Sequence, residues 1–370
     1  MVDRVLKKKV LHITMRWGEG RGGVKQFILN AADALDTAHY DHSVLSVGPI
    51  TGADLGLNLY GPVVKRGDPV SLVRAFPRLV SAIKGIAPDA VHIHCNNGLG
   101  LLYAEAARCA GCAVRVVHSH STAVEDGCAV KRIMSSMLKE RFASAPTQRV
   151  ACSELAGAYL FGGHSFTVVR NGIDVNRFAF DPCTRQDIRS RYRIDDDAIV
   201  LGHIGSGIPV KNTGFIIDLV NRLFQRGIDV HALLVGSGEE SESLQKRVND
   251  VWLSERVHFA GVVADPWRYY SAMDVFVLPS FYEGLPISLI EAQSNGLSCI
   301  ASDAVSRESN AAGMISFLPL DDVEQWAGAV LRDHFKESER AYDSESGSSA
   351  ICSAGYSLDN LAGQLMHIYD

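Results

Sequence analysis

Two glutamates with seven residues between them, Glu283 and Glu291, lie in the otherwise apolar stretch LPSFYEGLPISLIEAQSNGLSCIAS, residues 278–302. The stretch is typical of a strand, a turn and a helix that starts at Pro286, because proline is favoured at the first helical position. Glu283 would then lie just before the helix N-terminus, at the carboxyl end of a parallel strand, where open α/β sheets bind ligands. Glu291 lies further into the helix among apolar neighbours, so its carboxylate needs partners.

The two carboxylates allow two interpretations. The free N–H groups and the positive dipole end of the helix suit phosphate or sugar oxygens, and two vicinal ribose hydroxyls would satisfy Glu291. Alternatively, Glu283 caps the helix and Glu291 pairs with a buried arginine. The spacing alone does not decide between them, and the remainder of the chain favours the first.

Length and composition restrict the class of protein. A chain of 370 residues predicts two domains. The hydrophobic fraction of 47% and the charged fraction of 21% are ordinary for a soluble globular protein. A formal net charge of −6 gives no support to nucleic-acid binding. No apolar run approaches the roughly 20 residues of a transmembrane helix, and the N-terminus lacks a signal-peptide core. We therefore expect a cytoplasmic protein.

The eight cysteines are scattered along the chain, and only Cys109 and Cys112 form a CxxC pair. A helix end followed by a strand explains this pair, so we expect no metal or redox site there. The other cysteines are typical of small core residues in a reducing compartment.

Strand-like and helix-like runs alternate along almost the whole chain. The first half predicts strands at 9–14, 41–47, 89–95, 113–120, 148–153 and 166–174, with helices at 24–35, 69–86, 100–110 and 130–143. The second half predicts strands at 198–205, 230–236, 257–261, 275–280 and 298–302, with helices at 211–226, 240–253, 265–272 and 286–295. Strands that are apolar on both faces predict two doubly wound α/β units joined within 171–186. The Ser-rich segment 336–350 predicts a surface helix end and loop, and 357–370 a final helix.

A series of motifs in a fixed order carries a family resemblance. They are GGVKQF (22–27), HSHST (118–122), VACSELAGAYLFG (150–162), FTVVRNGIDVNRF (166–178), GHIGSGIPVKN (202–212), LLVGSGE (233–239), VHFAGVVAD (257–265) and AMDVFVLPSFY (272–282) followed by EGLPISLIEA. With these motifs the chain resembles the retaining glycosyltransferases of the GT-B fold, glycosyltransferase family 4. Within that family it looks most like bacterial capsule and exopolysaccharide enzymes.

The resemblance implies two Rossmann-like domains that face a central cleft. Residues 1–175 would form the acceptor-side domain and residues 176–356 the nucleotide-sugar-binding domain. The final helix, 357–370, would cross back and pack on the first domain.

The resemblance also implies roles for the residues of the opening stretch. Glu283 would face the donor sugar, hydrogen-bond its hydroxyls and help to stabilise developing positive charge. Gly284 and Leu285 would offer backbone N–H groups to the sugar or phosphate, with Pro286 at the start of the helix. Glu291 would hold the ribose hydroxyls.

Further site residues follow from the other motifs. Gly22 and Gly23 would let the backbone approach the phosphate, His120 would lie near the transferred sugar and acceptor, and the base would lie against Gly261 and Val262. Each implied role has an alternative. The glycines could form a simple tight turn, and His120 could be a structural hydrogen-bonding residue.

Ser206 departs from the family pattern. The resemblance places Lys211 on the diphosphate, with a solvated helix lysine as the alternative. The family usually pairs that lysine with an arginine at the position of Ser206. Lys211 and the glycine loop could suffice, Arg16 or Arg21 could substitute, or phosphate binding could be weaker.

We therefore predict a metal-independent, retaining hexosyltransferase without a cofactor. The enzyme would move a sugar from a nucleotide diphosphate donor, a UDP-sugar, to a glycan or polyprenyl-linked acceptor. This reaction would belong to capsule or exopolysaccharide biosynthesis. Charge on the leaving diphosphate can be stabilised by Lys211, helix N-termini and backbone N–H groups without a metal. The alternatives are a nucleotide-sugar-binding GT-B protein with little activity, for which Ser206 is the argument, and a nucleotide-sugar epimerase. The lysines at 7–9 and the basic helix at 131–141 leave open a peripheral contact with the inner membrane surface.

Overall fold

The computed structural model describes residues 7–18, 22–52, 55–64, 71–121, 129–236, 241–333 and 337–370. The chain divides into two compact units. Unit 1 comprises Met1–Gly172 together with Leu358–Asp370, and unit 2 comprises Ile173–Ser357.

Unit 1 contains a seven-stranded parallel sheet with the strand order β3-β2-β1-β4-β5-β6-β7. Its strands are β1 Lys8–Thr14, β2 Tyr40–Ser46, β3 Asn58–Tyr60, β4 Ala90–Cys95, β5 Val114–Ser119, β6 Gln148–Ala151 and β7 Thr167–Val168. Its helices are α1 Gly23–Ala34, α2 Ser71–Ile86, α3 Leu99–Cys109, α4 Ala129–Arg141, α5 Glu154–Phe161 and the last helix of the chain, α13 Leu358–Tyr369. All six residues of β4 are buried, as expected for a central strand of a parallel sheet that is covered on both faces.

Unit 2 repeats the arrangement with a six-stranded parallel sheet of order β10-β9-β8-β11-β12-β13. Its strands are β8 Ile199–Ile204, β9 Val230–Val235, β10 Val257–Gly261, β11 Val275–Leu278, β12 Ser298–Ser302 and β13 Ile315–Leu318. Its helices are α6 Pro182–Arg191, α7 Thr213–Gln225, α8 Ser241–Asp250, α9 Pro266–Ala272, α10 Ile287–Ser294, α11 Val323–Asp333 and α12 Glu337–Ser353.

The strand order reverses direction at β1/β4 in unit 1 and at β8/β11 in unit 2. Neighbouring connections leave such a point on opposite faces of the sheet, so a crevice opens beyond the carboxyl ends of the strands. The predicted fold class, two doubly wound α/β units, is confirmed. The predicted site residues that follow β8 and β11 lie next to this reversal, whereas Gly261 and Val262 lie at the end of the edge strand β10.

The last helix belongs to unit 1, where α13 packs against α1. Leu361, Leu365 and Tyr369 are fully buried in the same apolar cluster as Phe27 of α1. Lys8 at the start of β1 donates to the carboxylate of Asp370 at 2.9 Å.

The expectation of a helix end and loop at 336–350 is wrong, because α12 runs for 17 residues, Glu337–Ser353. A Cβ on Gly347 would collide with the carbonyl oxygen of Gln293 in α10, so the small residues permit close helix packing. Arg340 is only 1% exposed and donates to the carbonyl oxygens of Asn295 at 2.9 Å and Met273 at 3.1 Å.

Smaller differences concern element ends. The predicted strand at 166–174 is reduced to Thr167–Val168. Helix α10 begins at Ile287, and Pro286 is the extended residue before it, with φ −73° and ψ 110°. Over the part of the chain that the structure describes, no helix combines the length and apolar character needed to cross a bilayer.

Candidate functional site

The carboxyl ends of β8 and β11 bring Lys211 and Glu283 into direct contact. Lys211 ends a short 3-10 turn after β8, and Glu283 lies in the loop between β11 and α10. The Lys211 ammonium forms an ion pair with Oε1 of Glu283, and the two side chains are only 16% and 15% exposed. Ser280 donates to the same carboxylate oxygen at 3.2 Å. A cation suited to phosphate and an anion suited to sugar hydroxyls therefore occupy one place in unit 2.

The loop that carries Glu283 is held at both sides. The backbone of Glu283 pairs with Val305, and the N–H of Phe281 donates to the carbonyl oxygen of Val210 at 2.9 Å. Leu285 packs on the core of unit 2, while Gly284 is half-buried. This anchoring fixes the direction of the Glu283 side chain relative to the start of α10.

Glu291 lies in the second turn of α10, where its partner is a tyrosine. The buried Tyr270 hydroxyl donates to Oε2 of Glu291 at 2.6 Å. Burial and the neighbouring carboxylate together raise the pKa of Tyr270 well above its usual value, so the hydroxyl remains a donor. The structure thus supplies one partner for this carboxylate, the hydroxyl group of Tyr270.

Three glycines bring the loops after β8, β9 and β10 together. The N–H of Gly205 donates to Val235 at 3.0 Å, and that of Gly236 donates to Gly261 at 2.8 Å. Gly236 and Gly261 have positive φ angles of 122° and 67°, which favour glycine. A Cβ on Gly236 would also collide with the Gly205 carbonyl oxygen. The predicted base-binding turn is therefore packed through its backbone, and Val262 beside it is 59% exposed.

The position at which the family carries an arginine lies on the surface of unit 2. Ser206 is exposed directly after β8, and its carbonyl oxygen accepts from the N–H of Ile208 at 2.9 Å. Of the two proposed substitutes, Arg16 is exposed in unit 1, whereas Arg21 lies outside the described residues.

The glycine loop of unit 1 is open. Gly22 precedes α1 with φ −71°, and Gly23 begins it. Apart from its chain neighbours, a Cβ on either glycine would meet no atom of the described residues within 4 Å. Neither steric crowding nor a left-handed backbone therefore requires glycine at these two positions. The free space beside the two glycines can accept the predicted ligand. In the first turn of α1, Lys25 is buried and donates to the Gly18 carbonyl oxygen at 2.7 Å.

His120 follows β5 and is half-buried. Its Nε2 lies 2.9 Å from Nδ1 of His94 on the neighbouring strand β4. Burial lowers the pKa of His120 to about 3, so the imidazole is neutral near pH 7. The predicted cleft histidine is thus suited to hydrogen bonding, and its lowered pKa makes it a poor general base.

Sequence reasoning missed several residues that support the predicted ones. Tyr270 donates a hydrogen bond to Glu291, and Ser280 donates one to Glu283. A tyrosine or a serine at these positions does not by itself indicate a glutamate partner. Gly236 could have been found, since it lies in the quoted motif LLVGSGE. The alternate histidines His92 and His94 were visible as HIH within a predicted strand, and His94 adjoins His120.

The chain is similar to known glycosyltransferases in both of its units. Residues 198–332 match the family described as glycosyl transferases group 1, and residues 22–177 match the glycosyl transferase 4-like domain. The chain is 30% identical to the putative glycosyltransferase EpsF of Bacillus subtilis, with 98% of this chain and 97% of that protein covered.

Two further proteins are informative. The UDP-Gal:alpha-D-GlcNAc-diphosphoundecaprenol alpha-1,3-galactosyltransferase of Escherichia coli is 27% identical, and 84% of each chain is covered. The crystal structure of HepE from Anabaena in complex with UDP and glucose superposes with a TM-score of 0.76 at 17% identity, covering 97% of this chain and 98% of that one. At this identity the second comparison concerns the fold alone.

Proposed function

Because this chain belongs to the group 1 family of GT-B glycosyltransferases and is related to EpsF over nearly its whole length, we propose that it is a retaining hexosyltransferase that uses a UDP-sugar. The acceptor we propose is a glycan on a polyprenyl diphosphate. The Escherichia coli relative, named for UDP-galactose and a diphosphoundecaprenol acceptor, supports both proposals. The HepE structures, described with UDP and UDP-glucose, agree with the choice of nucleotide.

The ion pair between Lys211 and Glu283 is the observation that carries this proposal. The reaction breaks the bond between the anomeric carbon and a diphosphate oxygen, and forms a bond to an acceptor hydroxyl, whose proton is released. Negative charge grows on the diphosphate while positive charge grows on the sugar ring. A lysine and a glutamate in contact at the end of β8 and β11 can stabilise both charges.

Lys211 and the backbone N–H groups at the start of α10 are the donors that we assign to the diphosphate, including those of Gly284 and Leu285. These groups are fixed before the donor arrives, so they need little reorganisation as charge develops. We therefore propose that the transfer step itself requires no metal ion and no cofactor.

The nucleoside is assigned to Glu291 and to the loop that contains Gly261 and Val262. Glu291 has one oxygen on Tyr270, and a carboxylate can accept further hydrogen bonds from ribose hydroxyls. The backbone of the interlocked glycine loops can hydrogen-bond the edge of a base without contributing a side chain.

Unit 1 supplies Gly22, Gly23 and His120 in this proposal. The open space at the two glycines permits a close backbone approach to phosphate. Neutral His120 can hydrogen-bond a sugar hydroxyl as donor or acceptor. Each assignment can be tested by a substitution within unit 1 alone.

Contact between α4 and the membrane surface would bring the protein to a lipid-linked acceptor. Ile133 and Met137 of α4 are 61% and 65% exposed and lie among basic residues of the same helix. Apolar and basic side chains on one surface helix favour binding to anionic lipid. Loss of sedimentation with anionic vesicles in an Ile133→Ser/Met137→Ser variant would support this contact, and unchanged binding would exclude it.

Transfer assays with a panel of nucleotide sugars and a polyprenyl-diphosphate-linked acceptor test the proposal as a whole. We expect transfer from one or a few UDP-sugars with the anomeric configuration retained. The alternative, a nucleotide-sugar-binding protein with little activity, predicts that UDP-sugars raise the melting temperature without transfer or hydrolysis. Transfer with inverted configuration would contradict the retaining mechanism but not the transferase.

A further inference from the structure

Six histidines lie together on the sheet of unit 1: His12 on β1, His42 on β2, His92 and His94 on β4, and His118 and His120 at the end of β5. Side chains two residues apart on a strand point to the same face, which places the histidines of β4 and β5 in one layer. Phe27 of α1 covers this layer, with ring centroids 4.7 Å from His118 and 5.7 Å from His120.

The rings form two hydrogen-bonded rows. In the first row, His42 Nδ1 lies 2.9 Å from His12 Nε2, His12 Nδ1 lies 3.0 Å from His94 Nε2, and His94 Nδ1 lies 2.9 Å from His120 Nε2. The second row is shorter. Both rows lead toward the place where His94, His118 and His120 meet.

The second row starts at the buried Tyr369 hydroxyl, 2.7 Å from His92 Nδ1, and continues from His92 Nε2 to His118 Nδ1 at 3.1 Å. It ends there. His118 is fully buried, and its Nε2 has no hydrogen-bond partner within the described parts of the chain. A buried polar nitrogen without a partner is costly and needs an explanation.

Two groups of three histidines bring their ring nitrogens within 4.8 Å of one another: His12 with His92 and His94, and His94 with His118 and His120. In the first group every ring nitrogen already takes part in a hydrogen bond. The second group contains His118, whose Nε2 has no hydrogen-bond partner among the described residues, and His120, which is only half-buried.

We propose that His94, His118 and His120 bind one divalent transition-metal ion of the zinc class. Three imidazoles without a carboxylate suit zinc and its neighbours, whereas magnesium and calcium prefer oxygen ligands. Three protein ligands leave a fourth position for water or an added ligand.

The hydrogen-bonded rows then orient the ligands. His94 donates from Nε2 to His12, and His12 donates from its own Nε2 to His42. His118 donates from Nδ1 to His92, and His92 donates from Nδ1 to the oxygen of Tyr369. Partners of this kind fix the tautomer and ring direction of metal-binding histidines.

Metal binding replaces the hydrogen bond between His94 and His120. Their nitrogens, now 2.9 Å apart, must separate to about 3.3 Å, the spacing of two tetrahedral zinc ligands. The proton between the two nitrogens moves to Nδ1 of His120, so that both facing nitrogens present lone pairs. The ion therefore binds neutral rings without displacing a proton into solvent.

Metal titration of the full chain tests the site. The protein is stripped with EDTA, dialysed, and titrated with Zn²⁺ by calorimetry and with Co²⁺ by visible absorption. We expect one ion per chain, and cobalt bands of a four- or five-coordinate site. His118→Phe and His120→Ala should each weaken binding about a hundredfold or more, since each loses a ligand.

The control is His258→Asn in unit 2. His258 lies 3.0 Å from His231 and stacks on it, but no third histidine completes a site among the described residues. The control should bind zinc as the unmodified chain does. His120→Ala removes a half-buried ring, so its folding can be checked by melting temperature. Absence of stoichiometric zinc binding, or binding that survives both substitutions in folded protein, would overturn the proposal.

Discussion

The ammonium group of Lys211 and the carboxylate of Glu283 form a largely buried ion pair that joins the loops after β8 and β11. Because both side chains are largely buried, each charge offsets the cost of removing the other from water. Removal of one side chain would leave the other as an uncompensated buried charge. A diphosphate that enters beside Lys211 would therefore meet a cation that is held in place and partly neutralised.

Glu283→Gln separates the roles of this pair. The change removes the negative charge that faces the sugar but keeps a hydrogen-bonding group, so we expect kcat to fall about a hundredfold or more. UDP affinity should stay equal or increase, because Lys211 loses its anionic partner. Steady-state kinetics and calorimetry with UDP measure the two effects. A loss of UDP affinity as large as the loss of kcat would contradict this assignment.

Glu291→Ala should weaken binding of UDP, by about tenfold for each 1.4 kcal/mol of lost interaction with ribose. Binding of 2′-deoxy-UDP should be less affected, because that nucleotide already lacks one of the hydroxyls. Tyr270→Phe is a matched control that removes only the hydroxyl group that donates to the same carboxylate. If Glu291→Ala weakens both nucleotides equally, the carboxylate does not contact the ribose.

EDTA should leave transferase activity intact or increased. We assign the stabilisation of the leaving diphosphate to Lys211 and backbone N–H groups, which chelation does not affect. Removal of a zinc ion from His120 would free a side chain that we place near the sugar. Activity measured with and without excess EDTA checks this, and loss of activity that magnesium or manganese restores would show that the phosphate chemistry is misassigned.

Ser206→Arg should tighten donor binding if the diphosphate lacks a second cation. A charge-assisted hydrogen bond contributes roughly 1.5–3 kcal/mol, which is tenfold or more in affinity. Ser206 is exposed, so the larger side chain should fit with little steric cost. If Arg16 already serves as the second cation, Ser206→Arg will be neutral or harmful and Arg16→Ala will weaken binding. If neither change alters affinity, the site needs no second cation.

Acid should destabilise the protein through His203. Burial lowers the pKa of His203 to about 4. The hydrogen bond to the Val277 carbonyl opposes this shift, and the positive charge of Lys211 adds to it. An unfolded histidine has a pKa of about 6.5, so the unfolded chain binds more protons between those values. Stability contributed by this group is complete above about pH 6.5 and declines as pH falls toward 4, by up to about 3 kcal/mol.

His203→Asn tests the acid effect, because the amide can keep a hydrogen bond to the Val277 carbonyl but does not titrate. Denaturant unfolding at several pH values between about 7.5 and 4.5 should show a smaller decline in the variant. An unchanged slope would mean that His203 does not contribute to acid sensitivity.

The sequence by itself determined the architecture and most of the candidate site residues. Strands of parallel sheets are buried on both faces, so their apolar runs, separated by helical periods, are visible without any knowledge of neighbours. The order of motifs then indicated a GT-B glycosyltransferase, and the match to EpsF over nearly the whole chain confirms that the chain is a member of the glycosyltransferases. The roles of individual site residues remain predictions.

Only the tertiary structure decided which side chains meet. Lys211 and Glu283 are distant in the chain and become partners because β8 lies next to β11 in the sheet. The alternate histidines of β4 and β5 are visible as a pattern, but strand order puts His94 beside His120. Ser-rich α12 looked like a loop because small polar residues favour loops, whereas here they let it pack closely on α10. Local propensity does not contain strand order or helix contacts, because both depend on residues far away in the chain.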